Sequence, residues 1–321
     1  MSSNFISVSG VVLMFVGILG GVSSVDFFQF WVFLELNLLG FVVYASLRSE
    51  SSAGGSVMEY FLVQSFYSCL VVMLYLHYPF MAPLSSTFVV LVLMFKLGVA
   101  PLHGWLIALF GVLSWETLWF ASIPQKLLPV YGISVLWYGV GQWGGSVIWM
   151  LVVLSVLVSV SLSLSEVGVG KLLGLSSLFN QGWVISVSKD INLMFIYLVL
   201  YAMSLGVFVW WLSCGMFKAS TQLSQVGSVA SSGMLFFGLC SLAGLPPFGF
   251  FFAKVHAARF LMELNVGLSL FLLVSSVFML LVYTRLFSPG LMSLDKSVRS
   301  AGNSRGALMI LVLASTSLVF I

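Results

Sequence analysis

Leu91-Val92-Leu93-Met94-Phe95-Lys96-Leu97-Gly98-Val99-Ala100-Pro101-Leu102-His103-Gly104-Trp105 is the stretch that decides the fold. An apolar run long enough to cross a bilayer carries a lysine near its middle and a Gly/Pro interruption just behind it. Proline removes a backbone donor and clashes with the preceding turn, so one continuous helix is not expected through Pro101. Non-helical backbone at membrane depth survives only where protein buries it or where it lines a cavity. The span at 86–110 is therefore predicted to be a discontinuous membrane helix with an ionisable group at its centre.

The rest of the chain fits that reading. It has 321 residues, 61% of them hydrophobic and only 7% charged, and its mean hydropathy is +1.16. Its 12 basic and 9 acidic residues are too few to cover a soluble core of this size. An all-α integral membrane protein is predicted, with 1–321 as a single polytopic domain. Apolar runs of about 20 residues give about eleven transmembrane helices. They fall near 4–24, 26–47, 58–78, 86–110, 117–139, 146–165, 170–188, 191–213, 224–263, 267–287 and 307–321. The run at 224–263 is too long for one crossing and contains Gly244-Leu245-Pro246-Pro247-Phe248-Gly249, so a second discontinuous helix is predicted there. Two interrupted segments, one in each half, are the mark of inverted-repeat transporters. No clean internal repeat accompanies them.

Four ionisable side chains lie near the middle of long apolar stretches: Glu35, Lys96, Lys126 and Lys254. A charge at the bilayer centre costs roughly 2.5–3.5 kcal/mol on insertion scales, and such residues mark ion or proton pathways. A snorkelling lysine is the structural alternative at any one site; four together point to proton handling. Lysine suits that work because its protonation responds readily to burial, whereas arginine stays charged.

Other candidate chemistry fails on context. Cys69, Cys214 and Cys240 are isolated in apolar segments, and His77 and His256 lack partners at metal-ligand spacing. Gly139-Val140-Gly141-Gln142-Trp143-Gly144 matches a dinucleotide fingerprint in letters only, since no strand precedes it. No hydrolytic triad is visible and no nucleic-acid partner is expected. The first charge is Asp26 and the first arginine Arg48, so neither a signal nor a transit peptide is expected. Even-numbered loops hold Arg48, Lys171, Lys218, Arg285, Lys296, Arg299 and Arg305. The opposite side has Lys189 and Arg259 among Asp26, Asp190 and Glu263. The positive-inside rule then puts the N-terminus on the matrix or cytoplasmic side.

An ordered set of motifs carries a family resemblance. Trp31 to Glu35-Leu36-Asn37 is followed by Glu59-Tyr60-Phe61 to Gln64-Ser65, Phe95-Lys96 to Trp105, Gln125-Lys126 to Pro129, and Ser176-Ser177 before Gly182-Trp183. The set closes with Gly244 to Phe250 ahead of Lys254, and Tyr283-Thr284-Arg285. Over about residues 26–287 this resembles the subunit 2 family of mitochondrial NADH:ubiquinone oxidoreductase (respiratory complex I), in its short animal form. The resemblance implies an antiporter-like, proton-pumping subunit of the inner mitochondrial membrane, lying among other complex I subunits and lipid. FMN, iron–sulfur clusters, NADH and ubiquinone would belong to partner subunits, with no cofactor in this chain.

It further implies an ion pair of Glu35 with Lys96, a central relay lysine at Lys126 and a terminal one at Lys254. Asn180 stands where many relatives carry a histidine, so a histidine relay there is in doubt. His103 is either part of the polar axis or a structural residue, Glu59 a solvated interface charge, and Arg285 an interfacial anchor. Two other functions stay open: a free-standing cation/proton antiporter of the same superfamily, and a structural scaffold whose buried charges pin helices together.

Overall fold

The computed structural model describes residues 2–48, 53–76, 82–166, 168–214, 237–246 and 248–298. The predicted span at 307–321, together with His77, Lys218, Pro247, Arg299 and Arg305, lies outside the described residues.

The described chain is all-α. In order, the helices are α1 (Ser2–Ser23), α2 (Phe27–Arg48), α3 (Gly54–Leu76), α4 (Ala82–Lys96), α5 (Gly104–Val112), α6 (Trp115–Ser122) and α7 (Pro124–Leu136). A short 3-10 turn at Trp137–Gly139 leads into α8 (Gln142–Ser165), α9 (Val169–Val187) and α10 (Ile191–Cys214). The described part of α11 is 237–243, followed by α12 (Gly249–Leu264) and α13 (Val266–Val298). Six of these are long and apolar enough to cross a bilayer alone: α1, α2, α3, α8, α10 and α13. The chain is a multi-pass membrane protein.

Two helix starts are capped by polar side chains. The Asp190 carboxylate accepts from the backbone N–H groups of Asn192 (3.0 Å) and Leu193 (3.3 Å), which starts α10. Asn265 Oδ1 accepts from Leu268 N–H at 3.2 Å and separates α12 from α13. Serines inside the helices return their hydroxyls to the carbonyl three residues back, as Ser155, Ser159 and Ser163 do along α8. That satisfies the hydroxyl and leaves a small side chain for close packing. These three serines are buried.

The bundle is built around α9. Every described residue of it except Lys171 is buried, from Val169 to Val187. It packs on α5, α8, α10 and α12, so a polar side chain on α9 meets protein rather than lipid. Several basic side chains sit near helix ends. Arg48 ends α2, Lys171 lies against Gly111, and the Arg285 guanidinium donates to the Leu164 carbonyl at the end of α8. At the other end the Lys189 ammonium lies 5.5 and 5.8 Å from the ring centroids of Trp137 and Trp149.

The two predicted breaks are present, with the same local construction. Gly98 and Gly244 have φ of +83° and +72°, the left-handed region that glycine adopts without cost. After α4, Gly98 N–H bonds Phe95 O (2.9 Å) and Val99 N–H bonds Met94 O (3.1 Å). After α11, Gly244 N–H bonds Ser241 O (3.1 Å) and Leu245 N–H bonds Cys240 O (3.2 Å). Both are Schellman endings, which satisfy some but not all of the last carbonyls.

Two features differ from the sequence reading. The span predicted at 117–139 is itself interrupted, since Ile123 takes φ −118° and ψ −67° between α6 and α7. Pro124 opens α7 at its first turn, where its missing N–H does no harm. The last described helix also runs past the predicted 287 to Val298, because a polar helical extension leaves no hydropathy signal.

Candidate functional site

Glu35, near the middle of α2, faces Lys96, the last residue of α4. The Lys96 ammonium lies 3.5 Å from Glu35 Oε1, with the two side chains 4% and 23% exposed. The break after Lys96 frees its main-chain carbonyl, and Gln64 Nε2 on α3 donates to that oxygen at 2.8 Å. Lys96 is thus held by both its charge and its backbone.

Lys126 sits in the first turn of α7, just beyond the Ile123 interruption. Its ammonium donates to Ser177 Oγ of α9 at 3.0 Å, and Ser177 in turn donates to the Gly174 carbonyl at 2.7 Å. Both side chains are buried. Among the described residues no carboxylate comes within ion-pair distance of Lys126.

Between Lys96 and Lys126 lies a small cavity of about 20 Å³, measured as room for the centre of a water. Tyr60, Gln64, Trp105 and Gln125 supply its other polar lining. The Trp105 indole N–H is buried and has no partner in the structure. A cavity of roughly 10–15 Å³ on this measure holds one water if it has two to four polar partners. The site meets both conditions.

Lys254 lies in α12 and reaches back across the second break. Its ammonium donates to the Ala243 carbonyl at 2.7 Å, an oxygen left over by the Schellman ending of α11. The negative end of a helix dipole favours a cation there. The ammonium also lies 5.6 and 5.2 Å from the ring centroids of Phe179 and Phe250, within the range of cation–π attraction.

α9 runs from one lysine to the next. Ser177 meets Lys126. Three residues further, Asn180 Oδ1 accepts from the Tyr197 hydroxyl at 3.2 Å. Tyr197 and Tyr201 pack on Phe250 with centroids 5.2 and 5.7 Å apart, and Phe250 lies beneath Lys254. Three buried lysines and the partly exposed Glu35 thus lie on α2, α4, α7 and α12, with α9 touching Lys126 and Lys254. Sequence reading supplied the charged members but gave no role to Gln64, Gln125, Ser177 or Tyr197. The only signal for Gln64, Gln125 and Ser177 was their placement inside the quoted motifs, and Tyr197 had none.

The remaining sequence candidates fall outside this set. His103 precedes α5, with Nδ1 3.0 Å from the Pro101 carbonyl, which makes Nδ1 the donor and the ring a local cap of the break. Glu59 is exposed on α3. Among the described residues no group of three or more His, Cys, Asp or Glu could hold a metal ion.

Comparison with known proteins agrees with this architecture. A family profile described as NADH:quinone oxidoreductase/Mrp antiporter, transmembrane, matches residues 75–280. The chain is 28% identical over 278 residues to NADH-ubiquinone oxidoreductase chain 2 of Albinaria caerulea, covering 85% of each protein. It is 27% identical over 302 residues to chain 2 of Rhipicephalus sanguineus, covering 92% of this chain and 93% of that one. In fold it resembles a chain of the Mrp complex from Dietzia sp. DQ12-45-1b, with a TM-score of 0.73 and 19% identity. That superposition covers 87% of this chain and 59% of the Mrp chain, so this protein spans about three fifths of that one. A chain of respiratory complex I from Thermus thermophilus gives a TM-score of 0.71 at 19% identity, covering 87% and 69%. With well over half its length matched, this chain belongs to the NADH:quinone oxidoreductase/Mrp antiporter transmembrane family.

Proposed function

We propose that this chain is the antiporter-like chain 2 subunit of a respiratory NADH:ubiquinone oxidoreductase and moves protons through Glu35, Lys96, Lys126 and Lys254. The observation that carries the reading is the arrangement of the three lysines. Each is buried, each has a different partner, and α7 and α9 join them in order. Two relatives named as chain 2 match it over 85% and 93% of their length.

In this reading the Glu35–Lys96 pair is the input. Closed, the carboxylate balances the Lys96 ammonium; opened, it leaves a positive charge facing the cavity shared with Lys126. A like charge across a low-dielectric gap disfavours the ammonium of Lys126. Its proton then passes by way of Ser177 and the Asn180–Tyr197 pair towards Lys254, where the Ala243 carbonyl receives an ammonium well. Asn180 orients a hydroxyl but cannot itself titrate, so its part is positional. Electron transfer, with NADH, FMN, iron–sulfur clusters and ubiquinone, resides on partner subunits.

Glu35 supports the presence of such partners. It is 23% exposed on the surface of this chain, near the middle of a helix long and apolar enough to cross a membrane, where a carboxylate needs protein or water over it rather than lipid. A neighbouring membrane subunit on the α2 face meets that need. The end bearing Arg48, Lys171 and Arg285 is assigned to the matrix side of the inner mitochondrial membrane, and the N-terminus with it.

The fold alone suits an Mrp-type antiporter equally well, so membership of the complex is the first thing to test. Mild-detergent extracts are separated on a native gel, stained for NADH dehydrogenase activity and analysed by mass spectrometry. Peptides of this chain are expected in the high-mass active band; their confinement to low mass would favour the antiporter.

A further inference from the structure

Asn37 and Gln125 tie the helix of Glu35 to the helix of Lys126 through a reciprocal amide contact. Gln125 Nε2 donates to both the main-chain carbonyl and Oδ1 of Asn37, at 3.0 Å each. Asn37 Nδ2 donates to the Pro124 carbonyl at 3.2 Å, and the Tyr60 hydroxyl donates to Gln125 Oε1 at 3.2 Å. The Gln125 carboxamide is therefore engaged at both ends by α2 and α3, neither of them its own helix. Asn37 is 1% exposed, so these bonds lie in a low-dielectric interior, where they are strong and directional.

The contact sits at the first turn of α7. Pro129, inside α7, removes the donor that would have bonded the Gln125 carbonyl. The turn that carries Lys126 lacks that one bond, keeps those from the Lys126 and Leu127 N–H groups to the Ile123 carbonyl at 3.0 and 3.1 Å, and is tied to α2 as well. Glu35 lies two residues before Asn37, and Lys126 directly follows Gln125. A shift of α2 as the Glu35–Lys96 pair opens is passed to the backbone that aims Lys126. Apolar helix contacts in a membrane lack such directionality.

We propose that Asn37 and Gln125 are the positioning pair through which the state of the Glu35–Lys96 pair reaches Lys126, with Tyr60 fixing the Gln125 rotamer. This rests on the relay reading above. Its test uses the assembled complex in sealed membrane vesicles and reads protons moved per NADH oxidised, a ratio that the amount of assembled complex does not alter. Gln125→Met keeps length and loses the amide; it is expected to lower the ratio towards that of Lys126→Ala, and to lower it no further when combined with Lys126→Ala. A parental ratio in Gln125→Met beside a reduced ratio in Lys126→Ala overturns the proposal and leaves the relay standing. Parental ratios in both overturn the relay, and the positioning pair with it. Should Gln125→Met fail to assemble, Tyr60→Phe carries the test, since it removes one hydroxyl and keeps the ring. A ratio between those of the parent and Lys126→Ala is expected for it, and a parental ratio overturns the proposal.

Discussion

Lys126 and Ser177 are joined by a 3.0 Å hydrogen bond between two buried side chains, and that bond is the contact of the central lysine with α9. The other two lysines have a carboxylate or a helix C-terminus to balance them. Lys126 stands at the start of a helix, where the backbone dipole gives an ammonium no support. Its proton is held by the least charge of the three.

Ser177→Ala should therefore slow proton movement through this subunit more than its small change in volume suggests. A hydrogen bond to a charged group is worth about 1.5–3 kcal/mol, so a decrease of about tenfold or more in the step through Lys126 is expected. Initial rates of NADH-driven acidification in vesicles measure it. Ser177→Thr keeps the hydroxyl and should retain most of the rate.

Glu35→Gln leaves the Lys96 ammonium without its countercharge. Removing one partner of a buried pair costs about 3–5 kcal/mol, and the low end applies here because Glu35 is partly exposed. The double variant Glu35→Gln/Lys96→Met carries no stranded charge and should hold the subunit in the complex better than Glu35→Gln alone. Thermal dissociation of the complex, followed on native gels, gives the comparison. A double variant weaker than the sum of the singles would remove the pairing from the account.

The two positive-φ glycines should respond differently to alanine. Each substitution forces a left-handed residue, costing about 1–2 kcal/mol. At Gly98 the new methyl also meets Leu106 Cδ1 at 2.8 Å, so loss of assembled complex is the main effect. At Gly244 it lies 3.1 Å from Lys254 Cδ and displaces the lysine from the Ala243 carbonyl. Gly244→Ala should lower protons per NADH in the complex that does assemble; Gly98→Ala should lower the yield with less effect on that ratio.

Tyr197→Phe deletes the hydroxyl that Asn180 accepts and leaves a buried amide oxygen short of a donor, a loss of about 1–3 kcal/mol. Slower proton delivery to Lys254 is expected at unchanged subunit content. An unaltered pumping rate would take Asn180 and Tyr197 out of the path.

The charged frame was legible in sequence because membranes penalise charge so heavily. Lys96, Lys126 and Lys254 stand out in apolar runs, and Pro101 and Pro246 announce the breaks beside two of them. The break at Ile123 escaped the sequence reading, because the run around it stays apolar and of ordinary length. Ser177, Gln64 and Tyr197 could not be paired with their partners at all. A serine or tyrosine on a membrane helix satisfies itself locally or across a helix contact, and one sequence does not say which helices touch. The length of α13 escaped for the opposite reason, since helix continues where hydropathy has already fallen.

The most direct test of the relay is Lys126→Arg in the assembled complex, read as protons moved per NADH oxidised. Arginine keeps the positive charge and a donor for Ser177 but does not release its proton. The relay predicts that the ratio falls as far as it does in Lys126→Ala. A parental ratio in Lys126→Arg would mean that the charge at this position only holds the bundle together.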